Sequence, residues 1–270
     1  MTAATILIDR VGFAYHARGA RVLDDVSFTI APGAVTALVG RSGSGKSSLL
    51  HLVAGLAKPV AGQVVIDGIK VEGPSSRAVM MFQSPSLYPW LTVARNVALG
   101  LQFAKLPREE ITRRVAAALA LVGLQDNAGS KATAISGGQA QRVALARALV
   151  MEPDVLLLDE PFAALDMFTR LGLQKDIREI GARLGITVVL VSHDITEIAR
   201  MADRAIFLAG SPGRIVAETD ISDAARGSDD EAARDEIARL TGIYEQSTGT
   251  AGTVPLQAEP AGQPAMAFAH

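Results

Sequence analysis

Two kinds of hydrophobic pattern alternate along most of the chain. Short apolar runs such as AVTALVG, DVLLLDE and ITVVLVSHD are continuous, which is typical of strands covered on both faces of a parallel sheet. Longer stretches place apolar residues three or four positions apart, which predicts amphipathic helices. The alternation of the two patterns favours an α/β fold in which helices flank a mostly parallel sheet.

The N-terminal region has a different pattern, in which apolar and polar residues alternate. In VLDDVSFTI the residues Val26, Phe28 and Ile30 fall on one face, and TILIDRVGFAY alternates in a similar way. Such alternation is typical of antiparallel strands that are covered on one side only. We therefore predict an antiparallel β layer beside the main sheet.

Helical periodicity dominates between Pro85 and Pro153. The stretch REEITRRVAAALALVGL forms one apolar stripe, with Gly123 as a stop signal near its end, and predicts a helical subdomain over about 85–153. A later helical pattern, TRLGLQKDIREIGARLG, is closed by Gly185, lies between two strand-like runs and predicts a βαβ crossover. We expect one domain over 1–245, followed by a disordered tail over 246–270 that is rich in Gly, Ala, Pro and Thr.

Composition narrows the possible function classes. The 270 residues are 49% hydrophobic, and the formal charge of −2 comes from 26 basic and 28 acidic residues that are largely interspersed. The sequence has no basic face of the kind that binds nucleic acid, so we expect no nucleic-acid partner. The absence of cysteine excludes disulfides and thiolate metal sites. The N-terminus lacks the pattern of a signal peptide, and no apolar run approaches the roughly 18 residues of a membrane span, so we expect a soluble chain.

The stretch GRSGSGKSS at 40–48 carries the clearest chemistry. It fits G-x-x-x-x-G-K-[ST] and lies between a strand-like and a helix-like run, as this phosphate-binding loop requires. Its glycines turn backbone N–H groups toward a triphosphate, while Lys46 reaches the β- and γ-phosphates and the Ser47 hydroxyl binds Mg²⁺. The candidate nucleotide-binding residues are Gly40, Ser42, Gly43, Gly45, Lys46, Ser47 and Ser48.

Polar residues at the ends of other predicted strands add candidates for catalysis. Asp159 and Glu160 end the run VLLLDE, where Asp159 suits a metal ligand and Glu160 a base that polarises water. His193 follows the next strand, and Gln83 follows VMMF and offers an amide to metal or water. Each of these residues alone also fits simple solvation of a strand end.

A second glycine-bearing stretch, ISGGQAQR at 135–142, precedes the strongly helical VALARALV. Glycines at the start of a helix leave backbone N–H groups uncovered, which favours an anion at the positive end of the helix dipole. The candidate residues are Ser136, Gly137, Gly138 and Gln139. Because the chain already has a phosphate-binding loop, the residues alone leave open whose anion this second site holds.

Taken in their order along the chain, these motifs resemble those of the ATP-binding subunits of ABC transporters. The resemblance covers residues 5 to about 220. The resemblance implies a P-loop NTPase core of ABC type with an antiparallel β layer and an inserted helical subdomain, binding ATP and Mg²⁺. It implies that Tyr15 stacks on adenine, although a strand tyrosine also serves sheet packing. It further identifies Gln83 as the Q-loop glutamine, ALD at 164–166 as the D-loop and His193 as the switch histidine.

The same resemblance implies an assembly. Two copies face head to tail, and each ATP lies between the phosphate loop of one copy and the ISGGQ signature of the other. Membrane-spanning permease subunits bind the pair at the cytoplasmic face of the inner membrane, and a solute-binding protein acts through them. The signature has Ile135 where leucine is usual, and Ala140 and Ala163 also depart from the family, but none of these removes a phosphate ligand.

One segment points to a branch of that family. MFQSPSLYPWLTVARNV is similar to the corresponding stretch of nitrate, sulfonate and taurine importer ATPases. That similarity implies that Tyr88, Pro89 and Trp90 contact the permease, whereas Trp90 could instead cap the core of the helical subdomain.

We predict an importer motor that hydrolyses ATP. A soluble ABC-type ATPase acting on ribosomes or DNA is the alternative, but the resemblance implies two fused nucleotide domains or a long coiled-coil insertion for that class, and the chain has neither the length nor the heptads. A nucleotide sensor without turnover is disfavoured because Glu160 and His193 are both present. The cargo cannot be inferred, because the ATPase does not contact it.

Overall fold

The computed structural model describes residues 3–16, 19–223 and 231–249. Within these ranges the strands are β1 (Ile6–Phe13), β2 (Leu23–Ile30), β3 (Val35–Val39), β4 (Ala61–Ile66), β5 (Ile69–Lys70), β6 (Ala78–Met81), β7 (Val155–Asp159), β8 (Thr187–Val191), β9 (Arg204–Ala209) and β10 (Arg214–Asp220). The α-helices are α1 (Lys46–Val53), α2 (Val93–Phe103), α3 (Arg108–Leu121), α4 (Gly137–Leu149), α5 (Met167–Leu184), α6 (Ile195–Met201) and α7 (Glu231–Gly249). Two short 3₁₀ turns cover Gln125–Asn127 and Ala132–Ala134.

The larger sheet has six strands in the order β10-β9-β3-β8-β7-β6. All neighbouring pairs are parallel except β10 and β9, which pair antiparallel at one edge. Every residue of β3 and β8 is buried, as expected for strands covered on both faces. The strands β7 and β8 are parallel and joined through α5, which confirms the predicted βαβ crossover.

The smaller sheet has the strand order β2-β1-β4-β5 and is antiparallel throughout. Ile6 pairs with Ile30 and Ile8 with Phe28, and these side chains all face the interior. The predicted antiparallel β layer is thus confirmed. It packs on α1 and one face of the larger sheet to form one of the two hydrophobic cores.

The two cores lie on opposite faces of the larger sheet, and β3 contributes side chains to both. Its Leu38 belongs to the core beneath the antiparallel sheet, while Ala37 and Val39 belong to the core that contains the helices. This division follows from strand geometry, because successive side chains point to opposite faces. The strand ends directly at the phosphate loop, so both cores hold the start of that loop in place.

Helices α2, α3 and α4 lie within the stretch for which a helical subdomain was predicted. The stripe of α3 packs inward through Val115, Ala118 and Leu119. Helix α5 is capped by Asp166, which accepts bonds from two backbone N–H groups, and ends at Gly185 in the left-handed conformation. This glycine stop was predicted from the sequence.

The C-terminal helix α7 packs on α6 and β9 through buried side chains that include Leu240. It continues to Gly249, past the expected domain end at residue 245. The remainder of the predicted tail, from residue 250, lies outside the described residues. Among the described helices, none is both long enough and apolar enough to cross a membrane.

Candidate functional site

A cavity of about 590 Å³ opens where β3 leads into α1. This is the carboxyl end of the parallel strands, where open α/β sheets bind ligands. Its lining residues are Tyr15, Val22, Gly40, Ser42, Gly43, Gly45, Lys46, Ser47, Ser48, Glu160 and His193. The structure therefore brings every predicted residue of the phosphate loop into one site with Tyr15, Glu160 and His193.

Gly43 and Gly45 show why the backbone of the loop requires glycine. Gly45 has a φ of 93°, and a Cβ there would lie 2.4 Å from the Cδ2 of Leu23. Gly43 has a φ of 83°, in the left-handed region that side chains other than glycine rarely adopt. Helix α1 begins directly after Gly45 without a side-chain cap, and its first residues, whose N–H groups lack partners within the helix, line the cavity.

The side chain of Lys46 is hydrogen-bonded to backbone carbonyls of the phosphate loop. Its Nζ donates to the carbonyl oxygens of Gly40 at 2.8 Å and Arg41 at 2.9 Å. An ammonium has three hydrogens, so one donor is left for a ligand in the cavity. Burial lowers the pKa of Lys46, and the nearby carboxylates of Glu160 and Asp159 oppose this shift.

Ser47 and Asp159 form the candidate metal centre. The Ser47 hydroxyl donates to Oδ1 of Asp159 at 3.0 Å, across the boundary between α1 and β7. Burial raises the pKa of Asp159, while the bond from Ser47 lowers it. A hydroxyl oxygen and a carboxylate oxygen side by side next to a phosphate-binding loop match the hard oxygen ligands that Mg²⁺ prefers. The residues present thus fit the metal predicted from the motif.

Glu160 and His193 also line the cavity and lie next to each other. Oε2 of Glu160 lies 3.4 Å from Nδ1 of His193, whose side chain is largely exposed. The Glu160 backbone has a φ of 48°, and its N–H donates to the carbonyl of Val191 at 3.0 Å. A left-handed backbone at a residue other than glycine costs on the order of 1 kcal/mol or more and is typical of functional sites. It turns the Glu160 side chain off the strand and into the cavity.

Tyr15 lies at the rim of the cavity with 62% of its surface exposed. Its hydroxyl is 2.9 Å from Oγ of Ser48, and its ring meets the ring of Phe13 edge-on at 5.0 Å. The tyrosine is therefore not buried in the sheet, which was the alternative to a role in binding. A ring at this position could stack on a planar base.

Gln83 and the signature stretch lie apart from these residues. Neither Gln83 nor any residue of 136–139 lines the cavity among the described residues. The Gln83 side chain is exposed, while its carbonyl accepts a bond from Nε2 of Gln141 at 3.0 Å. Ser136 and Gln139 form a capping box at the start of α4, with reciprocal bonds of 3.2 and 2.9 Å.

The two signature glycines differ in what surrounds them. A Cβ at Gly138 would lie 2.3 Å from Cγ2 of Thr169, so the packing of α4 against α5 requires glycine there. A Cβ at Gly137 would meet no atom of the described chain within 4 Å, and Gly137 does not have a positive φ. The fold of the single chain thus does not require glycine at position 137.

Sequence reasoning missed Gln141, which is 2% exposed and touches two functional segments. A polar residue within the buried face of α4 was the available signal. Arg142 and Arg147 lie on the same helix and contact other segments of the domain. Arg142 pairs with Asp176, and Arg147 donates to the carbonyls that follow Gln83.

Known proteins resemble the chain in both sequence and structure. A family model described as ABC transporter matches residues 23–163. The taurine import ATP-binding protein TauB of Pseudomonas savastanoi pv. phaseolicola is 43% identical over 78% of the chain and 81% of that protein. The aliphatic sulfonates import ATP-binding protein SsuB 1 of Xanthomonas axonopodis pv. citri is 45% identical over 76% of the chain and 83% of that protein.

Two solved structures have the same fold. The cbiO1 protein of Clostridium perfringens, part of the ABC transporter complex cbiONQ, superposes with a TM-score of 0.75 at 30% identity, covering 89% of the chain and 97% of that protein. A dimeric ATP-binding cassette in a post-hydrolysis state with ADP and Pi gives a TM-score of 0.69 at 31% identity, covering 80% and 99%. On the match of the family model and the identity to these relatives, the chain belongs to the ABC transporter family.

Proposed function

We propose that the chain is the ATP-hydrolysing motor subunit of an ABC importer for a small solute of the nitrate, sulfonate or taurine type. The observation that carries the proposal is the single cavity in which the phosphate loop and its lysine meet the Glu160–His193 pair, beside the Ser47–Asp159 pair. The names of relatives that are 43% and 45% identical support the importer branch. The cargo class rests on those names alone.

In the proposed site the chain's own residues bind and orient ATP. The N–H groups of the loop and the free hydrogen of Lys46 bind the phosphates, and the Tyr15 ring stacks on adenine. Mg²⁺, held by Ser47 and Asp159, would neutralise charge on the β- and γ-phosphate oxygens. The side chain of Gln83 lies outside the cavity. It would add an amide oxygen to the site once the Q-loop moves toward the bound ATP.

Catalysis is assigned to Glu160 and His193, which line the same cavity. The carboxylate of Glu160 accepts a proton from the attacking water, which raises the nucleophilicity of that water. His193 lies 3.4 Å from the same carboxylate. We assign it to orienting this carboxylate and to contacting the γ-phosphate. The distance of 3.4 Å between them is longer than a tight hydrogen bond, as is common before a substrate closes a site.

The signature motif supports a dimer of two identical copies. Gly137 stands open at the N-terminus of α4, and no phosphate of the same chain is near, because the cavity does not include this residue. In a head-to-tail pair the N–H groups of Gly137 and Gly138 would contact the γ-phosphate bound by the other copy, together with the hydroxyl of Ser136, whose N–H is taken by the Gln139 side chain. ATP then links the two copies, and its hydrolysis weakens their contact.

Gly137→Ala should prevent dimer formation without unfolding the chain. The added methyl group has space in the single chain but would stand where the partner's phosphate approaches. We expect a melting temperature within about 2 °C of the wild type, and loss of the ATP-dependent dimer in size-exclusion chromatography with light scattering. The assay uses chains that also carry Glu160→Gln, so that ATP is not consumed.

Gly129→Ala is the matched control for this test, because a Cβ there also meets no described atom within 4 Å and its φ is not positive. The Gly129→Ala chain should dimerise to the same extent as the chain without this substitution. A Gly137→Ala chain that dimerised equally well would contradict the assignment of the signature to the partner's ATP.

The proposed permease contact is the exposed segment around Trp90. Trp90 is 66% exposed and Tyr88 is 45% exposed, and their rings pack at 5.3 Å. Trp90 therefore does not cap the core of the helical subdomain. Exposed aromatic pairs of this kind are common at the centres of protein interfaces. We place the chain as a peripheral subunit at the cytoplasmic face of the inner membrane, with the solute-binding protein acting through the permease.

Co-purification tests this function. The tagged chain is expressed in its own host, membranes are solubilised in mild detergent, and partners are identified by mass spectrometry. A polytopic membrane protein in comparable amount is the expected result. Recovery of ribosomes or soluble proteins only, with the chain absent from membranes, would favour a soluble ABC-type ATPase over the importer.

Trp90→Ala should reduce the recovered permease roughly tenfold or more, as expected for loss of an interface tryptophan. ATP binding to the isolated chain should not change, because Trp90 does not line the cavity. Phe103→Ala is the control, since Phe103 is 82% exposed on α2. Equal losses of permease for the two variants would contradict the assignment.

A further inference from the structure

Gln141 joins two segments that the sequence places far apart. Its Nε2 donates to the carbonyl of Gln83 at 3.0 Å and to the carbonyl of Pro161 at 2.7 Å. These two bonds use both hydrogens of the amide. Gln83 is 58 residues from Gln141 in the chain, and Pro161 directly follows the proposed base Glu160. One buried amide thus bridges the Q-loop and the catalytic end of β7.

Arg147 holds the same loop two turns further along α4. Its guanidinium donates to the carbonyls of Pro85 at 2.6 Å and Ser86 at 3.0 Å. Burial lowers the pKa of Arg147. With Gln141 it fixes the backbone of residues 83–86 to the signature helix, so that α4 and the loop move together.

The exposed aromatic segment follows this fixed stretch immediately. Tyr88 and Trp90 lie a few residues beyond Ser86, and the Tyr88 backbone is itself held by the buried side chain of Asn96 at 2.8 Å. A displacement of this segment is therefore passed to the Q-loop backbone. From there the Gln141 amide provides a side-chain connection to the turn that carries Glu160, in addition to the pairing of β6 with β7.

We propose that Gln141 is a positioning residue, whose amide sets the relative position of the Q-loop and of the turn that carries Glu160. This inference rests on the proposed ATPase function and deepens it. The residue does not touch the substrate, because it does not line the cavity. It acts through the carbonyl of Gln83 on one side and that of Pro161 on the other.

A second buried glutamine separates this role from ordinary core packing. Gln174 on α5 is 5% exposed, and its Oε1, like that of Gln141, has no hydrogen-bond partner among the described residues. The Gln141 amide, however, is fixed to two carbonyls of functional segments. If burial of a glutamine were all that mattered, replacing either residue would have the same effect.

The test compares Gln141→Met with Gln174→Met, since methionine keeps the length and volume of the side chain and removes the amide. Steady-state ATP hydrolysis is measured for each purified full-length chain. Gln141→Met should lower kcat roughly tenfold, as expected for loss of one or two buried hydrogen bonds that align the site. Its KM for ATP should stay within about twofold. Gln174→Met should change neither value.

A double-mutant cycle with Gln83→Ala gives a readout that a merely structural role would not move. If Gln141 acts through the Q-loop, the double variant should be impaired less than the product of the two single effects, by roughly threefold or more. A purely multiplicative result would overturn the inference, as would a kcat for Gln141→Met within twofold of that for Gln174→Met.

If Gln141→Met does not fold, hydrogen exchange of the wild-type chain tests the positioning role of Gln141 instead. With Mg²⁺ and a non-hydrolysable ATP analogue, the amides of residues 84–88 and 162–163 should gain protection together. Protection of only one of these segments would overturn the inference. A wild-type chain without any ATP hydrolysis would instead refute the proposed function itself.

Discussion

Glu160→Gln should abolish ATP turnover and leave ATP binding intact. The amide has the size of the carboxylate but cannot accept the proton of the attacking water. General-base catalysis typically contributes about 10²–10⁴-fold to a rate, so we expect phosphate release to fall by that factor. The proposed phosphate-binding groups belong to the loop and Lys46, and Nζ of Lys46 is held by the carbonyls of Gly40 and Arg41 and not by this carboxylate. Phosphate release and titration calorimetry with ATP measure the two properties separately.

Glu152→Gln is the matched control for this substitution. Glu152 also has a left-handed backbone, with a φ of 53°, and its carboxylate pairs with Arg114 at 3.0 Å, among residues that do not line the cavity. It tests whether loss of a negative charge at a strained glutamate is enough to stop turnover. We expect hydrolysis close to the wild-type rate. A Glu160→Gln chain that hydrolysed ATP normally would remove Glu160 as the base.

Lys46→Met should weaken ATP binding by roughly 10²-fold or more. The methionine keeps the apolar stem of the side chain but loses the charged hydrogen bond to the phosphates, which is worth about 1.5–3 kcal/mol for each charged donor. It also frees the carbonyls of Gly40 and Arg41, which Nζ now holds in the curled conformation of the loop. Fluorescence titration with a labelled ATP analogue measures the affinity.

Lys175→Met provides the comparison for Lys46. The Lys175 side chain is 74% exposed, and its 3.7 Å pair with Glu179 lies on the surface of α5. Affinity for ATP should be unchanged in this variant, and thermal denaturation should confirm that both chains are folded. Wild-type affinity in a folded Lys46→Met chain would contradict the assignment of the loop.

The parts of the molecule that follow from short-range rules could be predicted from the sequence. Strands β3, β7 and β8 are continuous apolar runs because both of their faces are covered, and the stop at Gly185 follows from its left-handed conformation. The phosphate loop is equally local, since its glycines, lysine and serines lie within residues 40–48 and line one cavity. Such features need no knowledge of distant segments.

Contacts between distant segments could not be predicted in the same way. Gln141 bonds to backbone carbonyls, and a carbonyl is present at every residue, so nothing in the sequence marks Gln83 or Pro161 as its partner. The exposure of Trp90 depends on how the segment before α2 leaves the sheet, which its neighbours in the chain do not determine. The roles of Gln83 and of the signature residues depend on closure and on a second copy, and they stay predictions.

The place of β3 between the two cores bears on how ATP binding and unfolding are linked. A strand whose alternate side chains anchor two separate cores opens to solvent only when most of the domain unfolds, so the root of the phosphate loop has no low-energy local opening. Ligand held there is released on global unfolding. At a concentration 100 times its Kd, such a ligand adds about 2.7 kcal/mol to the free energy of unfolding. The cellular ATP pool would then protect this chain against proteolysis even between transport cycles.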